Sequence, residues 1–242
     1  MIPVLVFIAL VVFGVVALAS KIRSTPRTTA ADKRRDELKL LGFVACPEQH
    51  AEVEQRYNSL TTTSGHGGYT IRNPYCIGVA GQQVFFFTSV PPPYVARGAG
   101  IAPRPAFLLR FSAPAGRAQV WLTNKTVEAN PALAQKIRQA YHTMANEAAA
   151  SSLVTLDVPR DWAARGVVGA IGEAGHTLDS LLGDRSGDML AGAAERGLFE
   201  AVFGGGWVAL EHFPFLDAMP TPRGSLGRQV AFVRGLAAGS RR

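Results

Sequence analysis

The chain has 242 residues, 48% of them hydrophobic, and its 25 Lys and Arg against 18 Asp and Glu give a formal net charge of +7. This length leaves room for one folded domain with a packed core after an N-terminal segment. The positive charge lies at the two ends, because residues 40–222 carry 13 basic and 15 acidic side chains. A nucleic-acid-binding domain has a basic face on the fold itself, so this distribution argues against one.

Residues 1–20 (MIPVLVFIALVVFGVVALAS) contain no charged side chain and are rich in Val, Leu, Ile and Phe. In a helix that rises about 1.5 Å per residue, eighteen to nineteen residues span roughly 27–29 Å, close to the ~30 Å hydrocarbon core of a bilayer. A helix also satisfies its own backbone hydrogen bonds inside a membrane. We therefore expect residues 1–20 to form a single-pass transmembrane helix that acts as a signal-anchor.

Basic residues follow this apolar segment and none precedes it, so the positive-inside rule predicts the N-terminus outside the cell membrane and the main domain in the cytoplasm. The alternative is a cleaved secretory signal, since Ala17-Leu18-Ala19 offers a suitable cleavage site. The length of the apolar segment and the missing basic residue before it favour the anchor. The residues expected to contact anionic lipid head groups are Lys21, Arg23, Arg27, Lys33, Arg34 and Arg35.

Composition divides the rest of the chain into three parts. Residues 21–36 mix charged side chains with Ser, Thr and one Pro, which predicts a basic juxtamembrane linker. Residues 37–222 are predicted to form one soluble α+β domain. Residues 223–242, with five arginines and no acid, form a basic C-terminal tail.

Residues 47–122 are predicted to contain a helix followed by strands. Pro47 suits the first position of a helix, and the spacing of the apolar residues over 47–60 indicates an amphipathic one. Val84–Phe87 is apolar without alternation, as in a strand covered on both faces, and Ala80-Gly81-Gln82 predicts a hairpin turn. The strands predicted along the whole chain are 69–73, 75–79, 83–90, 106–112, 118–122, 152–158 and 206–213.

Three further regions are predicted to be helical. Asn130, Pro131 and a continuous apolar stripe indicate a helix over 131–149. Residues 160–203 are rich in Gly and Ala, and helical segments are expected around 162–171, 176–182 and 189–203. A basic amphipathic helix over 226–238 either lies on the membrane surface or docks on the domain.

The tightest metal-like grouping has the order C-x3-H…H-x9-C and consists of Cys46, His50, His66 and Cys76. Zinc accepts two Cys and two His, but this spacing matches no familiar zinc motif. We therefore expect no metal and no cofactor. In the cytoplasm the two cysteines are expected to be buried or idle thiols, whereas in an exported domain a Cys46–Cys76 disulfide is plausible.

The sequence leaves the catalytic residues unknown, because it has no nucleophile elbow, no zinc-protease helix motif and no P-loop. Glu211 and His212 alternate on the last strand, so one of them faces a covered side; we expect an exposed Glu211 and a hydrogen-bonded core His212. Any two of the scattered acids can also meet as an acid/base pair: Asp157, Asp161, Glu173, Asp179, Glu200 and Glu211.

The sequence as a whole predicts an α+β fold: one N-terminal transmembrane helix, then one domain with a mostly antiparallel sheet packed against helices. The favoured function is a non-enzymatic interaction or scaffolding domain at the cytoplasmic face of the membrane. Two alternatives stay open. One is a membrane-tethered enzyme, such as a hydrolase, with site residues dispersed in sequence; the other is an exported envelope domain with a Cys46–Cys76 disulfide.

Overall fold

The computed structural model divides the chain into two compact units, Met1–Leu40 and Leu41–Arg242. In the first unit the described part is helix α1 (Ala30–Leu40); the predicted transmembrane segment, residues 1–20, lies outside the described residues. No helix within the described ranges combines the length and the apolar composition that a bilayer span requires. The structure describes residues 30–61, 68–93, 103–111, 116–148, 153–212 and 225–239.

The described strands of the second unit form one nine-stranded antiparallel sheet. They are β1 (Val44–Ala45), β2 (Thr70–Val79), β3 (Gln82–Val90), β4 (Arg104–Arg110), β5 (Ala118–Leu122), β6 (Leu153–Thr155), β7 (Val167–Glu173), β8 (Leu198–Gly204) and β9 (Trp207–His212). Their order across the sheet is β1-β2-β3-β4-β9-β8-β5-β7-β6. The predicted α+β class with a mostly antiparallel sheet is confirmed, with the two sequence halves joined where β4 pairs with β9.

Helices cover both faces of this sheet. They are a 3-10 turn (Pro47–Gln49), α2 (His50–Thr61), α3 (Lys125–Glu128), α4 (Pro131–Ala148), α5 (Arg160–Ala164), α6 (Leu178–Glu195) and α7 (Ser225–Gly239). Tyr141 of α4 lies against Trp121, with ring centroids 5.3 Å apart, on the face that α2 also covers. Leu181 of α6 packs over Gly172, which faces the opposite side of the sheet, and α7 packs beside α6.

The hairpin predicted between β2 and β3 is confirmed, and it turns through two residues. Val79 pairs with Gln82, so Ala80 and Gly81 form the whole turn. Both have positive φ, +48° and +76°, as the type I′ turn that matches strand twist requires. The two separate strands predicted over 69–79 are a single strand with a register shift between Arg72 and Tyr75.

The prediction of helical segments at 162–171 and 189–203 is wrong where β7 and β8 lie. β7 contains Gly169 and Gly172, and a methyl group on Gly169 would lie 2.5 Å from the Tyr141 ring. Glycine weakens the strand signal of a sequence, but here it lets the helices approach the sheet closely. β8 is buried at every residue, so it lacks the alternation that marks a half-exposed strand.

The C-terminal helix α7 docks on the sheet, which was one of the two arrangements that its sequence allowed. Leu226, Val230, Val233 and Ala237 are buried, as their shared face predicted. The carbonyl oxygen of Ala237 also accepts a hydrogen bond of 2.5 Å from the Gln82 side chain at the β2–β3 turn. The apolar face of α7 is therefore used within the second unit.

Candidate functional site

Five polar side chains meet inside the sheet layer that α2 covers, and we call them the buried charge cluster. They are all at most 5% exposed: Tyr57, Arg104, Gln119, Glu200 and Glu211. Strand register brings the charged members together, because Glu211 of β9 pairs with Glu200 of β8 on one side and with Ala106 of β4, two residues after Arg104, on the other. Tyr57 reaches the cluster from the second turn of α2.

Arg104 is the centre of the cluster. Its Nη1 lies 2.5 Å from Oε2 of Glu200, and its Nε contacts Oε2 of Glu211. The Tyr57 hydroxyl donates a hydrogen bond of 2.5 Å to Oε1 of Glu211, and the Gln119 amide donates to Oε1 of Glu200. Each carboxylate therefore has Arg104 and one neutral donor as partners, which a buried charge requires.

The cluster holds two carboxylates but one cation, and the pKa values reflect this imbalance. Burial raises the pKa of Glu211 to about 7, with the Glu200 charge adding to the rise and the Arg104 cation opposing it. Burial, reinforced by the Glu211 charge, also raises the pKa of Tyr57 well above 10. Burial disfavours the Arg104 cation, but the two carboxylates outweigh that effect and raise the pKa of Arg104.

The prediction of an exposed Glu211 is wrong, since this residue is 0% exposed. Glu200 and Glu211 are the two scattered acids that do meet. Each of these two glutamates interrupts an otherwise apolar strand, and this interruption was the signal available in the sequence. Arg104, their shared partner about a hundred residues earlier, gave no such signal. His212 contacts the Gln229 amide at 2.5 Å, so the predicted hydrogen-bonding partner is present, but the residue is half-buried and does not lie in the core.

An open cavity of about 660 Å³ lies at one end of the sheet, and we call it the Trp207 groove. Three large side chains line it: Arg56 from α2, Arg110 from the end of β4, and Trp207 from the start of β9. The remaining lining residues are Glu52, Gly81, Gln82, Gln83, Phe85, Phe111 and Gly206. The volume is in the range of ordinary ligand pockets.

Two guanidinium groups lie against the indole ring in this groove. The Cζ atoms of Arg56 and Arg110 are 4.8 Å and 5.2 Å from the centre of the Trp207 ring, within cation–π distance. Strand register explains the second contact, because Arg110 and Trp207 are direct cross-strand partners. Arg56 also donates a 3.0 Å hydrogen bond to Glu52, one helical turn earlier.

The predicted metal-like grouping is only partly assembled in the described residues. Cys46 and Cys76 are adjacent, buried and free, and burial together with the neighbouring Cys76 thiol raises the pKa of Cys46 to about 12. His50 lies 3.5 Å from Glu54, and His66 is outside the described residues. No group of three or more His, Cys, Asp or Glu side chains in the described part of the chain is arranged to hold a metal ion.

Sequence reasoning missed the Trp207 groove. Arg56, Arg110 and Trp207 come from segments about fifty and one hundred residues apart, and none belongs to a motif. This chain matches no model of a known protein family, no curated protein and no solved structure.

Proposed function

We propose that this chain is a membrane-held, non-enzymatic interaction module that captures a protein partner in the Trp207 groove. The observation that carries the proposal is the Arg56–Trp207–Arg110 stack in an open cavity. Trp and Arg are the residue types that most often dominate binding energy at protein interfaces. In this groove they form one surface, in which both guanidinium groups contact the same apolar ring.

The buried charge cluster supports the proposal, because it joins the elements that carry the groove residues. Tyr57 is next to Arg56 on α2, Arg104 and Arg110 are both on β4, and Glu211 shares β9 with Trp207. The cluster connects α2, β4 and β9 through buried hydrogen bonds. The backbone segments that carry the groove side chains are therefore held in place relative to one another. A preorganised site loses less entropy when a partner binds.

The membrane part of the proposal rests on the sequence. Residues 1–20 are the proposed single-pass transmembrane helix, and the positive-inside rule puts the domain at the cytoplasmic face. Each basic residue close to an anionic leaflet contributes about 1 kcal/mol of attraction. The residues proposed to make this contact are Lys21, Arg23, Arg27, Lys33, Arg34 and Arg35.

Site-specific photo-crosslinking in cells tests the proposal. A photo-crosslinking amino acid replaces Gln83, an exposed residue that lines the groove, or Ala163, an exposed control on α5 outside the groove. We expect a discrete adduct from position 83, none from position 163, and loss of the adduct when Trp207→Ala is added. Equal adducts at both positions, or turnover of a substrate by the purified chain, would contradict an interaction module.

Topology is tested separately with reporters fused after Arg242. A reporter that is active only in the cytoplasm should give signal, and one that is active only outside should not. The opposite result would move the groove to the external side and overturn the proposed location.

A further inference from the structure

We infer that the Trp207 groove binds an acidic peptide segment, with Arg110 as the residue that receives a carboxylate of the partner. The inference rests on the proposed function and adds the chemical class of the partner. It starts from the charges that line the groove: two arginines against one glutamate.

Arg110 is the cation available to a partner. It is exposed, it contacts the Trp207 ring, and it makes no ion pair with any acid in the described part of the chain. The ring covers one side of the guanidinium but does not use its five N–H donors. A planar, partly oriented guanidinium of this kind is suited to receive a carboxylate through two parallel hydrogen bonds.

Arg56 shows within the chain that an arginine of this groove can bind a carboxylate, here through one hydrogen bond. Its Nε is 3.0 Å from Oε1 of Glu52, and both side chains are partly exposed beside the groove. A carboxylate therefore fits next to the arginines while Arg56 remains against Trp207. A partner carboxylate on Arg110 makes the same kind of ion pair on the other arginine.

The surface around the arginines favours a peptide over a simple anion. Phe85 and Phe111 line the groove as buried side chains, and the half-buried Trp207 ring gives accessible apolar area beside the charges. A segment that alternates acidic with apolar side chains satisfies both parts of this lining. The acidic side chains of such a segment complement the arginines, and its apolar side chains complement the Trp207 ring.

The experiment uses the full chain in a nonionic detergent and two acetylated, amidated hexapeptides, EDLEDF and its amide counterpart QNLQNF. Tryptophan fluorescence reports the groove, because Trp121 and Trp162 are 1% and 5% exposed and Trp207 is more accessible. We expect a saturable change with EDLEDF that weakens as salt is raised, and none with QNLQNF. Equal affinity for both peptides overturns the inference.

Variants then assign the contact. Arg110→Gln should weaken EDLEDF binding about tenfold or more, the size expected for loss of a charge-assisted hydrogen bond. Arg160→Gln removes an equal charge from an exposed site outside the groove and should have no effect. Arg110→Lys keeps the charge and should restore binding in part, which separates the contact from a folding defect. If Arg110→Gln and Arg160→Gln bind alike, the inference is wrong.

The outcomes also separate this inference from the proposed function. If the adduct from position 83 forms in cells but neither hexapeptide binds, the module stands and the acidic class is wrong. If vesicles containing phosphatidylglycerol give the Arg110-dependent signal and EDLEDF does not, the anion is a lipid phosphate and the peptide is excluded. If adduct and peptide binding are both missing, both proposals fail.

Discussion

Glu211→Gln should change how the stability of the protein depends on pH. Glu211 is fully buried, and its pKa is raised from 4.5 to about 7. Because the folded state holds this proton more tightly than the unfolded state, the stabilisation is complete below pH 4.5 and is lost as pH rises through 7. At 1.36 kcal/mol per pKa unit, this rise corresponds to about 3 kcal/mol lost between acidic and mildly alkaline pH.

The Gln side chain resembles the protonated carboxyl group. Its amide oxygen can accept a hydrogen bond from Arg104, and its NH2 group can donate one to the Tyr57 hydroxyl oxygen. Its free energy of unfolding should therefore lack the Glu211 contribution, so it should gain about 3 kcal/mol relative to the unsubstituted chain between about pH 4 and about pH 8. The assay is urea unfolding of the full chain in nonionic detergent, followed by far-UV circular dichroism at both pH values. Glu195→Gln, at an exposed position on α6, is the matched control.

One further variant tests the cause of the shift. The Tyr57 hydrogen bond lowers the pKa of Glu211, so Tyr57→Phe should raise that pKa further and enlarge the loss of stability at alkaline pH. If the difference in the free energy of unfolding between Glu211→Gln and the unsubstituted chain does not change with pH, the reasoning is refuted. It would mean that the Arg104 cation, and not burial, decides the ionisation of Glu211.

Two other predictions follow from packing and burial. Gly169→Ala should destabilise the chain by about 1–3 kcal/mol in the same unfolding assay, because the new methyl group would lie 2.5 Å from the Tyr141 ring. Gly78→Ala is the control, since its exposed strand position has no atom within 4 Å, and it should not destabilise the chain. Equal effects of the two substitutions would contradict the close contact at Gly169. Cys46 and Cys76 should resist iodoacetamide in the folded chain at about pH 8 and react after unfolding, since burial and the neighbouring thiol raise the pKa of Cys46 to about 12. Mass spectrometry counts the modified thiols, and fast labelling of the folded chain would show that they are accessible.

Local sequence was enough to predict the elements whose signals are local. The helix at 131–148 has its own cap at Asn130 and a continuous apolar stripe, and the β2–β3 hairpin has a turn that demands positive φ. The helix at 225–239 was likewise predicted from its apolar face. Such signals depend on backbone geometry within a few residues, so they do not need the rest of the fold.

The order of these elements was also enough to predict the α+β class, but it was not enough to predict the number of strands in the sheet. β7 and most of β8 lie in the Gly- and Ala-rich region 160–203, inside the segments that were predicted to be helical. Their strand conformation is decided by neighbours: β7 and β8 both pair with β5, and helices close over both faces. Burial on two sides then outweighs intrinsic preference.

The sequence alone determined a charge pattern with basic ends, an apolar N-terminal segment and an acid embedded in the last strand. Only the tertiary structure decided that Glu211 is buried on Arg104, and that Arg56 and Arg110 meet at Trp207. The contacts of Arg104 and Arg110 depend on the register between β4 and β9, about one hundred residues apart, and Arg56 is brought to Trp207 by helix α2. A side chain's ionisation and its partners are properties of that assembled environment, which no local pattern encodes.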